Sequence, residues 1–301
     1  MNEKLLLFGK NSFIGKNLPA DIKLSKSDCN LLDFDRTLAI LSELKPDQII
    51  NCAANHGSVQ AMSKNHTNFF VDNIVMNINL LRAAHQLAID NVLLLGSISS
   101  FPIDTKEIFT EDDYYSGPVH VRNFGYNSSK RVIVDLVEAY RLDHGRNYKV
   151  AHLGNIYGPH MRFGPSETLV GNLIYQLVHA NRENRDLELY GDGSDVRSLT
   201  YVGDLVRLLP KYLQNEEVES GIIFSSGFEI SVSELAQKIG EKMKYKREIR
   251  FTGQSALGIK KVARSSKIAS VDETPEFTSI DQGLALTIDW YLNCNDAALA
   301  Q

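Results

Sequence analysis

Over the first half of the chain, short apolar runs alternate with longer helix-period segments. This alternation constrains the fold more than any other feature. Lys4–Phe8, Gln48–Ala53, Val92–Gly96 and Lys149–Leu153 are brief, apolar and bounded by Gly or Asn. That is the pattern of strands buried on both faces of a parallel sheet. Between them, Phe34–Leu44, Phe69–Leu87 and Tyr126–His144 have helical periodicity, with Ile74, Ile78, Leu81 and Ala84 keeping one face of the second apolar. Strand, helix and strand repeated in this way predict βαβ units in a doubly wound parallel sheet, an α/β fold. The first helix is expected to be short, because Pro19 follows Gly15 by only four positions.

The second half is less regular. Ser166–Asn181, Val232–Met243 and Ile280–Leu292 read as helices and Leu187–Tyr190 as a strand. No Pro/Gly/Ser-rich linker separates the halves, which favours two closely packed lobes with a cleft between them. The expected division is a nucleotide-binding domain over 1–160, with 198–225 returning to it, and a smaller substrate lobe from 161–197 and 226–301.

Lys+Arg 32 against Asp+Glu 37 gives a net charge of -5, which argues against nucleic acid as a partner. Cys29, Cys52 and Cys294 are far apart and lack a paired metal spacing, so no metal site and a reducing compartment are expected. No apolar run approaches the roughly 18 residues of a membrane span. A cytoplasmic protein without a membrane partner is the expectation.

The first strand ends in Gly9-Lys10-Asn11-Ser12-Phe13-Ile14-Gly15, a Gly-x-x-Gly-x-x-Gly loop with Ser12 in the middle glycine's place. Between a strand and a helix, such a loop receives the pyrophosphate of a dinucleotide, which makes the doubly wound sheet Rossmann-type. Near the end of the next strand, about Asp21–Leu24, stand Ser25, Lys26 and Ser27, with Lys10 in the loop beside them. Cations and hydroxyls suit a 2′-phosphate, so NADP(H) is favoured, while Asp28 keeps NAD possible. Asp33 falls where an adenine amino group can be held.

Tyr126-Asn127-Ser128-Ser129-Lys130 opens a helix and places Tyr126 and Lys130 on one face. An ammonium beside a phenol is expected to lower the tyrosine pKa and make it an acid/base near neutrality. Ser97 stands at the end of the preceding parallel strand, where a doubly wound sheet keeps its active site. A hydroxyl there can hold a substrate carbonyl beside the tyrosine.

These residues resemble the extended short-chain dehydrogenase/reductase superfamily, in its nucleotide-sugar branch, and most of all the GDP-L-fucose synthases of that branch. The resemblance runs over nearly the whole chain. It includes Asn30-Leu31-Leu32-Asp33, Lys45-Pro46-Asp47, Gly96-Ser97 with Phe101-Pro102, Asn155-Ile156-Tyr157-Gly158-Pro159-His160 and Tyr190-Gly191-Asp192-Gly193-Ser194, then Arg197, Tyr201-Val202 and Asp204-Leu205. It implies Ser97, Tyr126 and Lys130 as catalytic residues and a nucleotide-diphosphate sugar as partner. Substrate contacts would come from Ser99, Asn155, His56 and Arg197, with Lys260 or Lys261 near the diphosphate. A homodimer through Val71–Leu81 and Val132–Val137 is also implied.

Two departures shape the functional expectation. Where the fucose synthases carry a cysteine and a histidine that move protons during epimerisation, this chain has Ser99 and Leu169. Leucine cannot move a proton and an unactivated serine is a poor base; His56, His120 and His160 are the substitutes within reach of the pattern. The expected activity is therefore NADPH-dependent reduction of a nucleotide-linked 4-keto-6-deoxy sugar. The alternatives are a bifunctional 3,5-epimerase/4-reductase, an NAD-bound 4-epimerase and a non-catalytic NADP sensor.

Overall fold

A computed structural model describes residues 3–102, 107–253 and 260–299. The chain begins with β1 (Leu5–Phe8), α1 (Phe13–Asn17), β2 (Ile22–Leu24), α2 (Phe34–Leu44), β3 (Gln48–Asn51), α3 (Val59–Met62), α4 (His66–Gln86) and β4 (Asn91–Ser97). It continues with β5 (Ile108–Phe109), α5 (Phe124–His144), β6 (Asn147–Leu153), β7 (Asn155–Tyr157), α6 (Leu169–Arg182), β8 (Leu187–Leu189) and β9 (Val196–Tyr201). After these come α7 (Val202–Gln214), β10 (Ile222–Phe224), β11 (Glu229–Ser231), α8 (Val232–Lys242), β12 (Ile249–Phe251), β13 (Lys260–Ala263) and α9 (Ile280–Leu299).

Local chemistry sets the helix boundaries. Ser12 caps α1 by accepting from the Gly15 N–H at 3.0 Å, and Leu18 ends the helix just before Pro19. Asp33 caps α2 in the same way, through the Arg36 N–H. Gly145, at φ +62°, closes α5.

Six parallel strands form the main sheet in the order β10-β6-β4-β3-β1-β2. The winding reverses at β1, which has β2 on one side and β3 on the other. The crevice beyond the carboxyl ends of these strands is thus the topological switch point where such folds bind ligands. On one face α2, α4 and α5 bury Leu80, Leu81, Ala84, Ile133 and Val137 against Leu6, Ile49 and Val92. On the other, Ile14 of α1 and Leu205, Leu208 and Leu209 of α7 cover Leu7, Ile50 and Leu93.

A second layer holds a five-stranded sheet that runs β11-β9-β13-β5, with β7 also paired to β9, and the two-stranded β12-β8. Its core packs α6, α8 and α9 around Leu199 and Ile230. After β9 the chain goes back to the first sheet, adding α7 on its face and β10 along the edge of β6. Glu111 tethers this return: its carboxylate accepts from the Ile223 N–H at 2.9 Å and from Ser265 and Ser266.

Neither β9 nor α7 is anticipated by the sequence pattern. The centre of β9 is polar, because Ser198 and Thr200 are fully buried yet hydroxylic. Pro210 interrupts the helical pattern of α7 and removes one backbone donor. The helix forms regardless, since its apolar stripe, from Val202 to Leu213, is buried.

Candidate active site

The glycine loop lies at the switch point. Gly9 has φ +87°, and a Cβ there would lie 2.5 Å from the Cys52–Ala53 backbone, so only glycine fits this turn. Its N–H and that of Lys10 donate to the Leu24 carbonyl at 2.9 and 3.0 Å. A Cβ on Gly15 would strike the Gly9 carbonyl, which explains the close approach of α1 to β1. Asn11 is exposed, while Phe13 and Ile14 pack beneath the loop. This cradle fits a dinucleotide pyrophosphate.

Lys10 and Lys26 are both exposed around the end of β2. Ser25 is buried and its hydroxyl donates to the Asp28 carboxylate at 2.6 Å. The two hydrogen bonds from Ser25, aided by Lys10, hold the Asp28 carboxyl below its ordinary pKa. Arg36, which sequence reasoning missed, is exposed on the first turn of α2 and donates to the Asp28 carbonyl at 3.5 Å. Its only signal in the sequence is its place one turn after the capping Asp33. Asp33 itself is exposed, with one carboxylate oxygen committed to that cap.

Ser97 ends β4, and the one-turn helix Ile98–Ser100 follows it. Its Oγ lies 2.8 Å from Ser99 Oγ and accepts from the Ser99 N–H at 3.2 Å. The turn is fixed from behind. Ser100 Oγ donates to the Ser97 carbonyl at 2.6 Å, and Arg131 Nε donates to the Ser100 carbonyl at 2.8 Å. Arg131 also holds the Gly117 and Tyr114 carbonyls.

Tyr126 and Lys130 occupy successive turns at the start of α5. Lys130 is buried; its Nζ donates to the Leu95 carbonyl at 2.7 Å and lies over the Tyr126 ring, 5.5 Å from its centre. Burial brings the lysine pKa down to about 8. It also pushes the tyrosine up to about 12, which corrects the expectation that Lys130 lowers it. The physical reason is position: the ammonium stands over the ring face, so desolvation of the phenolate outweighs its field.

His56 is brought to the same place. Its ring meets Tyr126 edge-on, with centroids 5.0 Å apart. The loop that carries it is pinned to α4 by amides: Asn73 accepts from the Asn55 N–H at 2.9 Å and donates to the Asn55 carbonyl at 2.8 Å. Asn51 donates to Asn77 at 3.0 Å one step further in. Desolvation of the imidazole, together with the Lys130 and Arg162 cations, holds His56 below its ordinary pKa. Arg162, exposed on the loop before α6, is a second residue the sequence reading missed. The other two candidate histidines are engaged elsewhere: His120 accepts from the Arg122 N–H, and His160 packs on Trp290 at 4.8 Å. Leu169 opens α6 and packs on the second-layer core.

The remaining substrate candidates lie in the second sheet. Asn155, on β7, donates to the Ser198 carbonyl at 3.0 Å. Arg197, on β9, pairs with Asp195 at 3.0 Å. Lys261 is its register partner on β13, so the two side chains leave the sheet on the same side. Lys260 points the other way and pairs with Glu229 at 2.9 Å.

A doubly wound sheet with a glycine loop at its switch point, and a serine, tyrosine and lysine at the ends of β4 and α5, defines an enzyme of the extended short-chain dehydrogenase/reductase type. The chain belongs to the NAD dependent epimerase/dehydratase family, which it matches over residues 6–227. It is 29% identical to a GDP-L-fucose synthase of Dictyostelium discoideum over 98% of this chain and 97% of that one. With a GDP-L-colitose synthase of Yersinia pseudotuberculosis it shares 27% identity over 96% and 98%. Among solved structures, a GDP-L-fucose synthetase of Naegleria fowleri bound to NADP superposes with a TM-score of 0.89 at 23% identity, covering 98% of this chain and 94% of that one.

Proposed function

We propose that the protein catalyses NADPH-dependent reduction of the C4 ketone of a nucleotide-linked 4-keto-6-deoxy sugar. The observation that carries this reading is the half-buried Tyr126, set at the start of α5 with the Lys130 ammonium over its ring at 5.5 Å and Ser97 at the end of β4. Reduction needs an acid, since the ketone oxygen becomes an alkoxide far more basic than a phenolate with a pKa of about 12. The proton therefore moves downhill from Tyr126 to the product oxygen.

A bound nicotinamide supplies the hydride. Ser97 donates to the ketone oxygen, Tyr126 protonates it, and Lys130 stabilises the phenolate that remains. Lys10, Lys26 and Arg36 gather around a 2′-phosphate at the end of β2, and the NADP in the Naegleria structure supports that preference. Arg197 and Lys261 take the substrate diphosphate, a pairing of cations with dianion favoured by charge. Asn155 and His56 contact the sugar. A homodimer through α4 and α5 accords with the exposed Val71, Phe124 and Val132.

The test is a panel of 4-keto nucleoside-diphosphate sugars assayed with NADPH, with products identified by NMR. The expected result is a 4-hydroxy sugar with the other centres unchanged. Failure to oxidise NADPH with any member of the panel overturns the reading.

A further inference from the structure

We infer that Ser99 is a positioning residue for the reduction: it orients the Ser97 hydroxyl so that its one proton faces the ketone oxygen. This inference rests on the reductase reading above and adds to it a role for the residue two places beyond the catalytic serine.

The argument is a count of donors and acceptors. A serine Oγ has two lone pairs and one hydrogen. One lone pair of Ser97 is taken by the Ser99 N–H at 3.2 Å. The two hydroxyl oxygens are 2.8 Å apart, so one hydrogen lies between them. If Ser99 donates it, Ser97 is saturated as an acceptor and its own hydrogen is left for the ketone oxygen. The opposite assignment spends the Ser97 hydrogen on Ser99 and leaves the ketone oxygen without that donor.

Substrate decides between the two. An oxygen that gains negative charge as hydride reaches C4 favours the arrangement in which Ser97 donates to it and Ser99 donates to Ser97. Each hydrogen bond in such a chain polarises the next, so the charge is shared over two hydroxyls. Neither serine loses its proton; the proton that neutralises the alkoxide comes from Tyr126.

The geometry is rigid enough for this role. The Ser100 bond to the Ser97 carbonyl and the Arg131 clamp fix the turn, and Arg131 directly follows Lys130 on α5. The serine pair and the Tyr126–Lys130 pair are therefore mounted on one frame.

Ser99→Ala removes the second hydroxyl and keeps the backbone N–H. Loss of a direct oxyanion donor costs on the order of 10²–10³ in kcat, and an effect passed through Ser97 should be smaller. The expected loss is about 5- to 20-fold in kcat, with KM for the sugar and Kd for NADPH changed less than about twofold. The pH limbs of kcat should stay in place, because no titrating group is removed. Ser99→Thr, which keeps the hydroxyl, should recover most of the rate. High-resolution crystal structures give a readout apart from activity: Ser97 should hold one rotamer in the wild type and occupy several in Ser99→Ala. Wild-type kcat in Ser99→Ala, or a loss confined to KM, overturns the inference while leaving the reductase intact. A wild-type enzyme that reduces no member of the keto-sugar panel overturns both.

Discussion

Lys130 Nζ reaches the Leu95 carbonyl at 2.7 Å, while the ring of Tyr126 lies beneath it with its centre 5.5 Å away. The ammonium is thus anchored to the backbone of β4 and meets the tyrosine through its π face. A cation so placed sits close enough to stabilise a phenolate formed during turnover without forming one beforehand.

That placement is costly to the folded state. Lys130 titrates near 8 when folded and near its ordinary 10.5 when unfolded, so the unfolded chain holds the proton more tightly. The penalty is full below pH 8, shrinks as pH rises from 8 to 10.5, and is gone above that range. Lys130→Met should raise stability at pH 7 by about 1–3 kcal/mol while abolishing activity. Urea melts at pH 7 and pH 10.5 check this; the advantage should fade at the higher pH.

Tyr126→Phe should lower turnover by at least about 10²-fold, the usual share of a proton-transfer group. NADPH binding, followed by fluorescence titration, should be unchanged. Near-wild-type rates would remove Tyr126 from its role.

NADPH should bind more tightly than NADH. One charge-assisted contact to the 2′-phosphate, of roughly 1.5–3 kcal/mol, corresponds to about 10- to 150-fold. Replacing Lys10 and Lys26 together by alanine should erase most of that ratio, and Arg36→Ala should reduce it further. Equal affinities in the wild type would favour a tightly held NAD instead.

Turnover in deuterated water should place no deuterium at C3 or C5 of the product beyond exchange seen without enzyme. Ser99 is bound to Ser97, and Leu169 packs on apolar neighbours, so neither carries a carbon-bound proton. Enzyme-dependent label would make His56, which touches Tyr126, the first residue to replace.

Five strands of the main sheet, β1 to β4 and β6, were legible because they are short, largely apolar and separated by helical segments, whereas β10, only three residues long, was not read as a strand; Gly9 and Gly15 mark the crevice by sterics alone. The placement of Tyr126 and Lys130 on one face of α5, and of Ser97 at the end of β4, was legible from spacing. What spacing could not supply was direction: whether Lys130 addresses the ring or the hydroxyl of Tyr126 depends on the Leu95 carbonyl, a backbone atom shared by every residue type. Arg36 and Arg162 were missed for a related reason, since an arginine on a loop or first turn has no pattern until the fold supplies its neighbours. The buried hydroxyls of β9 hid that strand from any hydropathy argument.

The late return of β10 to the edge of β6 also bears on synthesis. While a ribosome makes this protein, the hydrogen-bonding edge of Asn147–Leu153 waits for Ile222–Phe224. At ordinary elongation rates that interval is roughly 4–14 s. During it the nascent chain presents an unpaired strand edge to its surroundings, the kind of edge that invites aggregation. Holdase chaperones that engage such edges should therefore bind ribosome-bound chains from which β6 but not β10 has emerged, and release them once β10 is out.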